Sequence, residues 1–339
     1  MIKSDKSPLV SLLLVVRNGI THLEKCLNSL LKQTYPKEFT EIIIVDGLST
    51  DGTRELLEDW VEQLSHKNVD IRLLDNPKLI LSSGWNMGLR NSSGDIVCRI
   101  DVHSEICPHY VEIGVDQLLR HESDKIVCVG GVLENVGSGF IGRTIADLFG
   151  SRFGVGNSAF RTKINQSKFT DTAVFGLYYK WIFDEVGYFD ENLERNQDIA
   201  LHSKILERGY KFITYPDLKI KYHVRKTITG LIKKAFGDGY WIIASKKSYL
   251  RHKIPFYFIL YLLSIPVVFG IFKSFHKLTS LYLLLLALYI ILSIYFSIKH
   301  GKSHAKFLLP ILFPIFHISY GLGSLKGIMN IFTFKKGPR

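Results

Sequence analysis

Acidic residues all but vanish from the last third of the chain. Residues 226–339 hold 16 Lys+Arg and a single acid, Asp238, whereas residues 1–225 hold 27 bases against 30 acids. The chain's net charge of +12 therefore sits beside its apolar segments. That distribution excludes a nucleic-acid surface and marks a membrane flank. Cysteine is scarce too: Cys26, Cys98, Cys107 and Cys128 form no Cys-x-x-Cys and no ligand cluster. A thiol-built zinc site is excluded, and reduced, mostly buried thiols are expected. The opening residues MIKSDKSPLV lack an apolar signal core, which points to a cytosolic start.

What the C-terminal third has is length of apolar run. Residues 254–272 and 278–298 contain no Asp, Glu, Lys or Arg and are long enough to span a bilayer. A third run, 307–334, carries Pro310, Pro314, His317, Gly321, Gly323 and Lys326, so it spans or re-enters. Lys246, Lys247, Arg251 and Lys253 precede the first span and Lys299, Lys302 and Lys306 follow the second, with only Lys273 and Lys277 between them. The positive-inside rule then puts residues 1–253 in the cytosol of a multi-pass cell-membrane protein. Ile228, Leu231, Ile232, Ala235 and Phe236 recur at helical spacing within the basic stretch 226–253. This pattern suits an interfacial helix on an anionic leaflet, and equally a core helix.

Before residue 226 the pattern changes. Residues 9–16 and 41–45 are continuous apolar runs, as in strands buried on both faces of a parallel sheet. Further strands are expected at 69–74, 96–100 and 126–129, alternating with helices near 53–64 and 110–120. Such βαβ alternation places ligands beyond the C-terminal strand ends. Asp46 ends one run there and Asp101 another. The polar turn 46–53 lacks Gly-Lys-Ser/Thr and GxGxxG, so it is neither a Walker loop nor a dinucleotide fingerprint. Ser49, Thr50 or Asp51 is placed to cap the helix that follows. In "GDIVCRIDVH", residues 94–103, an acid and an imidazole two positions apart share one face of a strand. Taken alone, the pair reads equally as a turn aspartate beside a surface histidine.

Five stretches together, "VSLLLVVRN" (10–18), "CLNSLLKQTYP" (26–36), "IIIVDGLSTDGT" (42–53), "GWNMGLRNSSGDIVCRIDVH" (84–103) and "VGYFDENLERNQD" (186–198), resemble the family 2 inverting glycosyltransferases. The "RIDVH" form and "FGVGNSAFR" (153–161) are most similar to the membrane glycosyltransferases of succinoglycan-type exopolysaccharide synthesis. The resemblance implies a GT-A fold, a Rossmann-like α/β domain with a mostly parallel sheet, over residues 1–225. A basic segment, 226–253, and an α-helical transmembrane region, 254–334, would follow.

The resemblance also implies roles. Asp46, Asn76 and Asn86 would lie at the nucleotide sugar, with Arg225 approaching the diphosphate. Asp101 and His103 would stand at the metal-binding DxD position, where imidazole replaces the second carboxylate. Imidazole suits Mn²⁺, and Asp101 with diphosphate oxygens still suits Mg²⁺. Asp198 would be the catalytic base, with Asp190, Glu191 and Glu194 as solvated loop acids. Gly176, Tyr178 and Lys180 would line the acceptor side. His223 reads as a satisfied histidine or as a contact to metal or phosphate. The partners implied are a UDP-sugar donor, a lipid-linked saccharide acceptor, the anionic membrane and other glycan-synthesis membrane proteins. Direct glycosylation of a polyprenyl phosphate is the alternative reaction. A transporter fits less well, because the first two spans lack charge.

Overall fold

The computed structural model describes residues 7–333 apart from 68, 163, 246–248, 272–275 and 303. The apolar runs fold as the alternation predicts. They form β1 (Val10–Val16), α1 (Ile20–Leu31), β2 (Thr40–Asp46), α2 (Thr53–Ser65), β3 (Asp70–Asp75), α3 (Leu81–Asn91), β4 (Ile96–Asp101), β5 (Ser104–Ile106), α4 (Tyr110–Arg120) and β6 (Ile126–Val136). Two helices follow, α5 (Gly139–Gly150) and α6 (Arg152–Val155), then β7 (Lys168–Thr170), β8 (Leu177–Tyr179), α7 (Trp181–Val186), α8 (Gln197–Glu207) and β9 (Lys211–His223). The chain ends in α9 (Ile228–Ala244), α10 (Leu250–Ile271), α11 (His276–His300) and α12 (Leu309–Thr333).

The sheet runs β3-β2-β1-β4-β8-β6-β9-β5, with β7 beside β9. β3, β2, β1 and β4 are parallel, and β8 joins β4 antiparallel. β1, β2 and β4 are buried along nearly their whole length, which is why they read as unbroken apolar runs, whereas edge strand β3 is only partly buried. Register aligns Val16 with Asp46, Val15 with Asp101 and Asp46 with Asp75. Asp46 and Asp101 thus flank β1 at one edge, two strand spacings or roughly 10 Å apart. At the other end the buried Glu41 carboxylate accepts from Ser11 Oγ at 2.5 Å, from the Ser93 and Gly94 amides and from Arg72. A buried polar group needs such partners, and here they bind β1, β2, β3 and the turn into β4 together.

The chain divides into two compact units, residues 1–134 with 163–223, and residues 135–162 with 224–339. This corrects the contiguous 1–225 domain. The insertion 135–162 is apolar where it meets the C-terminal helices: Phe149 packs edge-on against Phe316, and His317 Nε2 bonds the Phe153 carbonyl at 2.9 Å. Lys302 N donates to Asp147 at 3.0 Å.

Within this second unit α10, α11 and α12 are each long and apolar enough to cross a membrane. α12 is one continuous helix through Pro314. In the basic segment α9 buries Leu231, Ala235, Gly239, Tyr240 and Trp241 and packs along α12. Of the flanking lysines, Lys246, Lys247 and Lys273 lie outside the described residues.

Glycine permits the α9–α12 approach. A Cβ on Gly239 would stand 2.0 Å from the Tyr320 carbonyl oxygen, and one on Gly323 2.0 Å from that of Phe236. Ser324 Oγ then reaches the Gly239 carbonyl at 3.1 Å. Gly323→Ala is expected to cost about 1–3 kcal/mol by forcing backbone apart, read as a lower thermal midpoint in detergent. Gly270→Ala, where a Cβ meets nothing within 4 Å, serves as the unaffected control.

Candidate functional site

The Asp46 turn is built before any ligand arrives. Asp46 is fully buried, and its carboxylate accepts from Ser49 N at 3.0 Å and Ser49 Oγ at 2.5 Å. Asn18 donates its amide N–H to Ser49 Oγ and accepts from Thr50 N, while Asp51 takes Thr53 N and Oγ1 at the start of α2. The motif's polar residues are therefore spent on joining two loops. This differs from the expectation that Asp46 stands free to read a base or ribose.

Asn76 and Asn86 are likewise committed. Asn76 bonds the Ile80 carbonyl and accepts from Ser83 Oγ, fixing the entry to α3. Asn86 donates to the Phe189 carbonyl and to Glu191, and accepts from Phe189 N, each at 2.9 Å. The polar residues Asn76 and Asn86 therefore already have partners within the protein that fix both ends of this region. Glu191, expected to be solvated, is held by Asn86 and Lys78.

What Asn86 positions is a lid over an arginine. Phe189 lies 5.7 Å and Trp85 5.3 Å from the Arg99 guanidinium, whose residue is 7% exposed on central strand β4. Arg99 Nη2 stands 3.6 Å from Asp198 Oδ2, and Arg99 Nε and Nη1 have no hydrogen-bond acceptor. A guanidinium does not shed its proton, so its burial demands an anion, and Asp198 supplies one. Asp198 sits in the first turn of α8, as expected, with about a third of its side chain exposed. Ile199 N donates to Asp198 Oδ1 at 2.9 Å. Burial alone would raise the Asp198 pKa, but Arg99 and then His202 outweigh it and leave the carboxyl below its usual range. The carboxylate is therefore ionised at neutral pH and open on one side.

Sequence reasoning missed Arg99. The only signal was a charge inside an apolar strand run, two residues before Asp101.

One turn along α8, His202 is completely buried, 2.7 Å from Thr172 Oγ1 and 2.7 Å from Tyr178 Oη. The acceptor-side expectation is corrected here. Tyr178 is a core residue bonded to His202, and Gly176 is buried against Cys128 Sγ with its carbonyl accepting from Arg99 N. Lys180 bonds the Ser92 carbonyl beside the N-terminal end of β4, some five residues or roughly 16 Å along the strand from Asp101. Arg225 is exposed just beyond β9 and belongs to the second unit.

The strand carrying Asp101 ends at that residue, and Val102–His103 form a turn into β5. Alternation nevertheless survives: Asp101, His103 and Glu105 are half-buried, while Val102, Ser104 and Ile106 are buried. The expected common face therefore holds, but through a turn. β5 leaves β4 to pair with β9, so His223 N donates to the His103 carbonyl at 2.8 Å and His223 Nε2 meets Glu105 Oε1 at 2.6 Å. His22, on the first turn of α1, stacks on His223 at 4.8 Å and meets His103 edge-on at 5.2 Å. Gly19 allows this, since a Cβ there would lie 2.9 Å from Val102.

Among the described residues no three His, Cys, Asp or Glu side chains are gathered as a ready-made metal site. Asp101 and His103 offer one carboxylate and one imidazole. That donor set fits a divalent cation whose remaining ligands are diphosphate oxygens.

Comparison with known proteins agrees with the mostly parallel sheet of this unit. The profile described as "Glycosyl transferase family 2" matches residues 11–187. The chain belongs to that family. Family 2 relatives over most of its length include a dolichyl N-acetyl-alpha-D-glucosaminyl phosphate 3-beta-D-2,3-diacetamido-2,3-dideoxy-beta-D-glucuronosyltransferase of Methanococcus voltae, 24% identical over 95% of this chain and 97% of the relative. The succinoglycan biosynthesis protein ExoA of Rhizobium meliloti is 27% identical over 74% and 73%. Among solved structures, a Pyrobaculum calidifontis mannosyltransferase in complex with GDP-Man and Mn²⁺ superposes with TM-score 0.59 at 16% identity, covering 96% of this chain and 88% of that one. That likeness supports the GT-A fold. The chain is a glycosyltransferase, with a GT-A-like catalytic sheet followed by apolar helices that fit attachment to a membrane.

His202 gives the core a pH signature. Burial foremost lowers its pKa from 6.5 to about 4, so between these values the unfolded chain binds a proton that the folded chain does not. Its contribution is intact above pH 6.5 and is lost as pH falls toward 4, by about 3 kcal/mol in all. Unfolding midpoints measured across this window should fall in wild type and fall less in His202→Asn.

Proposed function

We propose that the enzyme transfers a sugar, with inversion, from a UDP-sugar to a hydroxyl of a lipid-linked saccharide. The observation that carries this reading is the Asp198 carboxylate, ionised by a buried arginine and still partly open. An inverting transfer needs such a base. As the acceptor oxygen bonds to the anomeric carbon, its proton passes to Asp198, and the bond to the diphosphate oxygen breaks on the far side with its electron pair. Arg99 holds the carboxylate in place and in charge. Asp101 and His103 would hold a divalent cation, which supplies charge neutralisation for the departing nucleoside diphosphate. The lipid-linked acceptor is supported by three helices of spanning length and by relatives named for a dolichyl phosphate-linked substrate and for succinoglycan. The lysine distribution supports a cytosolic catalytic unit.

Asp198→Asn should lower transfer by on the order of 10²- to 10⁴-fold while UDP-sugar binding, followed by calorimetry, stays nearly unchanged. Retained turnover would place the base elsewhere.

The metal pair carries its own test. Wild type should favour Mn²⁺ over Mg²⁺, because nitrogen donors bind the later ion relatively better. His103→Asp should shift the preference toward Mg²⁺, in metal titrations of both UDP binding and transfer. An unchanged preference would make His103 a bystander.

A further inference from the structure

A groove of about 520 Å³ opens in the first unit between α1 and the β5–β9 ribbon. Its walls follow from two periodicities. On α1, His22, Lys25, Ser29 and Lys32 recur at i, i+3, i+7 and i+10, one helix stripe roughly 15 Å long. On β9, Lys219, Lys221 and His223 recur at every second residue, alternating with the buried Leu218 and Ile220, a stripe of roughly 13 Å. The two stripes share one end, where His22 stacks on His223 beside His103. The other end opens at Lys32 and Lys219, both of which line the groove.

Four exposed lysines, Lys25, Lys32, Lys219 and Lys221, therefore line one cavity. None of them is ion-paired among the described residues. The two acids at the groove leave that imbalance standing: Glu105 is taken by His223, and Glu134 is exposed and forms no ion pair among the described residues. Gathering like charges costs free energy unless an anion joins them, and the volume lies within the range of ligand sites.

We infer that this lysine-walled groove binds a phosphate or diphosphate group, distinct from the donor diphosphate at Asp101 and His103. Two sources share that chemistry, the phosphate of the lipid-linked acceptor and the headgroup of an anionic phospholipid. The inference concerns a binding site and does not depend on the transfer reaction.

The test uses the full chain in nanodiscs of phosphatidylcholine with divalent metal chelated, and inorganic pyrophosphate as probe. The quadruple variant Lys25→Gln, Lys32→Gln, Lys219→Gln and Lys221→Gln should bind pyrophosphate roughly tenfold or more weakly than wild type. A control carrying Lys37→Gln, Lys67→Gln, Lys125→Gln and Lys204→Gln loses the same charge elsewhere and should bind like wild type. The paired variants Lys25→Gln/Lys32→Gln and Lys219→Gln/Lys221→Gln should each show part of the loss, which keeps the test open if the quadruple variant fails to fold. A raised acceptor KM with unchanged donor KM identifies the acceptor phosphate as the source. An unchanged acceptor KM with weakened affinity for phosphatidylglycerol nanodiscs identifies the headgroup. Equal pyrophosphate binding by groove and control variants overturns the inference and leaves four solvated lysines. Because pyrophosphate binding is read without turnover, an enzyme found inactive in sugar transfer would sink the proposed reaction and not the groove.

Discussion

A charge that cannot be neutralised sits inside the central strand of the sheet. Arg99 keeps its proton at any physiological pH, so the fold must bring an anion to it or lose several kcal/mol. The surrounding pieces answer to that demand. Trp85 and Phe189 cover the guanidinium, Asn86 fixes the backbone of Phe189, and α8 delivers Asp198 from about a hundred residues away in sequence. The same contact that neutralises the strand fixes the position and ionisation of Asp198, the carboxylate proposed to take a proton from the acceptor. Structure and chemistry are thus met by one ion pair.

β1, β2 and β4 were legible because each is buried on both faces and so must be apolar throughout. The runs at 41–45 and 96–100 became β2 and β4 with ends shifted by one residue. α4 fell on its expected residues, 110–120. Asp198 and the Asp101–His103 face were legible from motif and alternation. The internal partners were not legible, because a sequence shows that a side chain is polar but not which protein group it will meet. Asp46, Asn76 and Asn86 carry the polarity expected of ligand contacts, and the fold spends it on Ser49, Ile80 and Phe189. The burial of Tyr178 was not legible because β8 is only three residues long, too short to reveal which side is core.

The membrane part shows the reverse relation between pattern and packing. Helices α10 and α11 have featureless apolar composition and remain largely uncovered within the unit, as lipid-facing helices should. Helix α12 is interrupted by glycine, serine and histidine, and each interruption has a partner: Gly323 admits the α9 backbone, Ser324 bonds Gly239, and His317 joins Tyr289 to the Phe153 carbonyl. The residues that made this run look least like a span are those that bind it to its neighbours.

The second unit is assembled from two stretches separated by residues 163–223. A ribosome therefore releases the apolar faces of α5 and α6 long before α12, against which Phe149 and Phe153 pack, has been made. During synthesis these faces stay uncovered by α12 until the last helix has been made. A chain cut short before α12 keeps the contacts of Phe153 with Tyr289 and Phe296 of α11, but leaves Phe149 without Phe316 and the Phe153 carbonyl without His317.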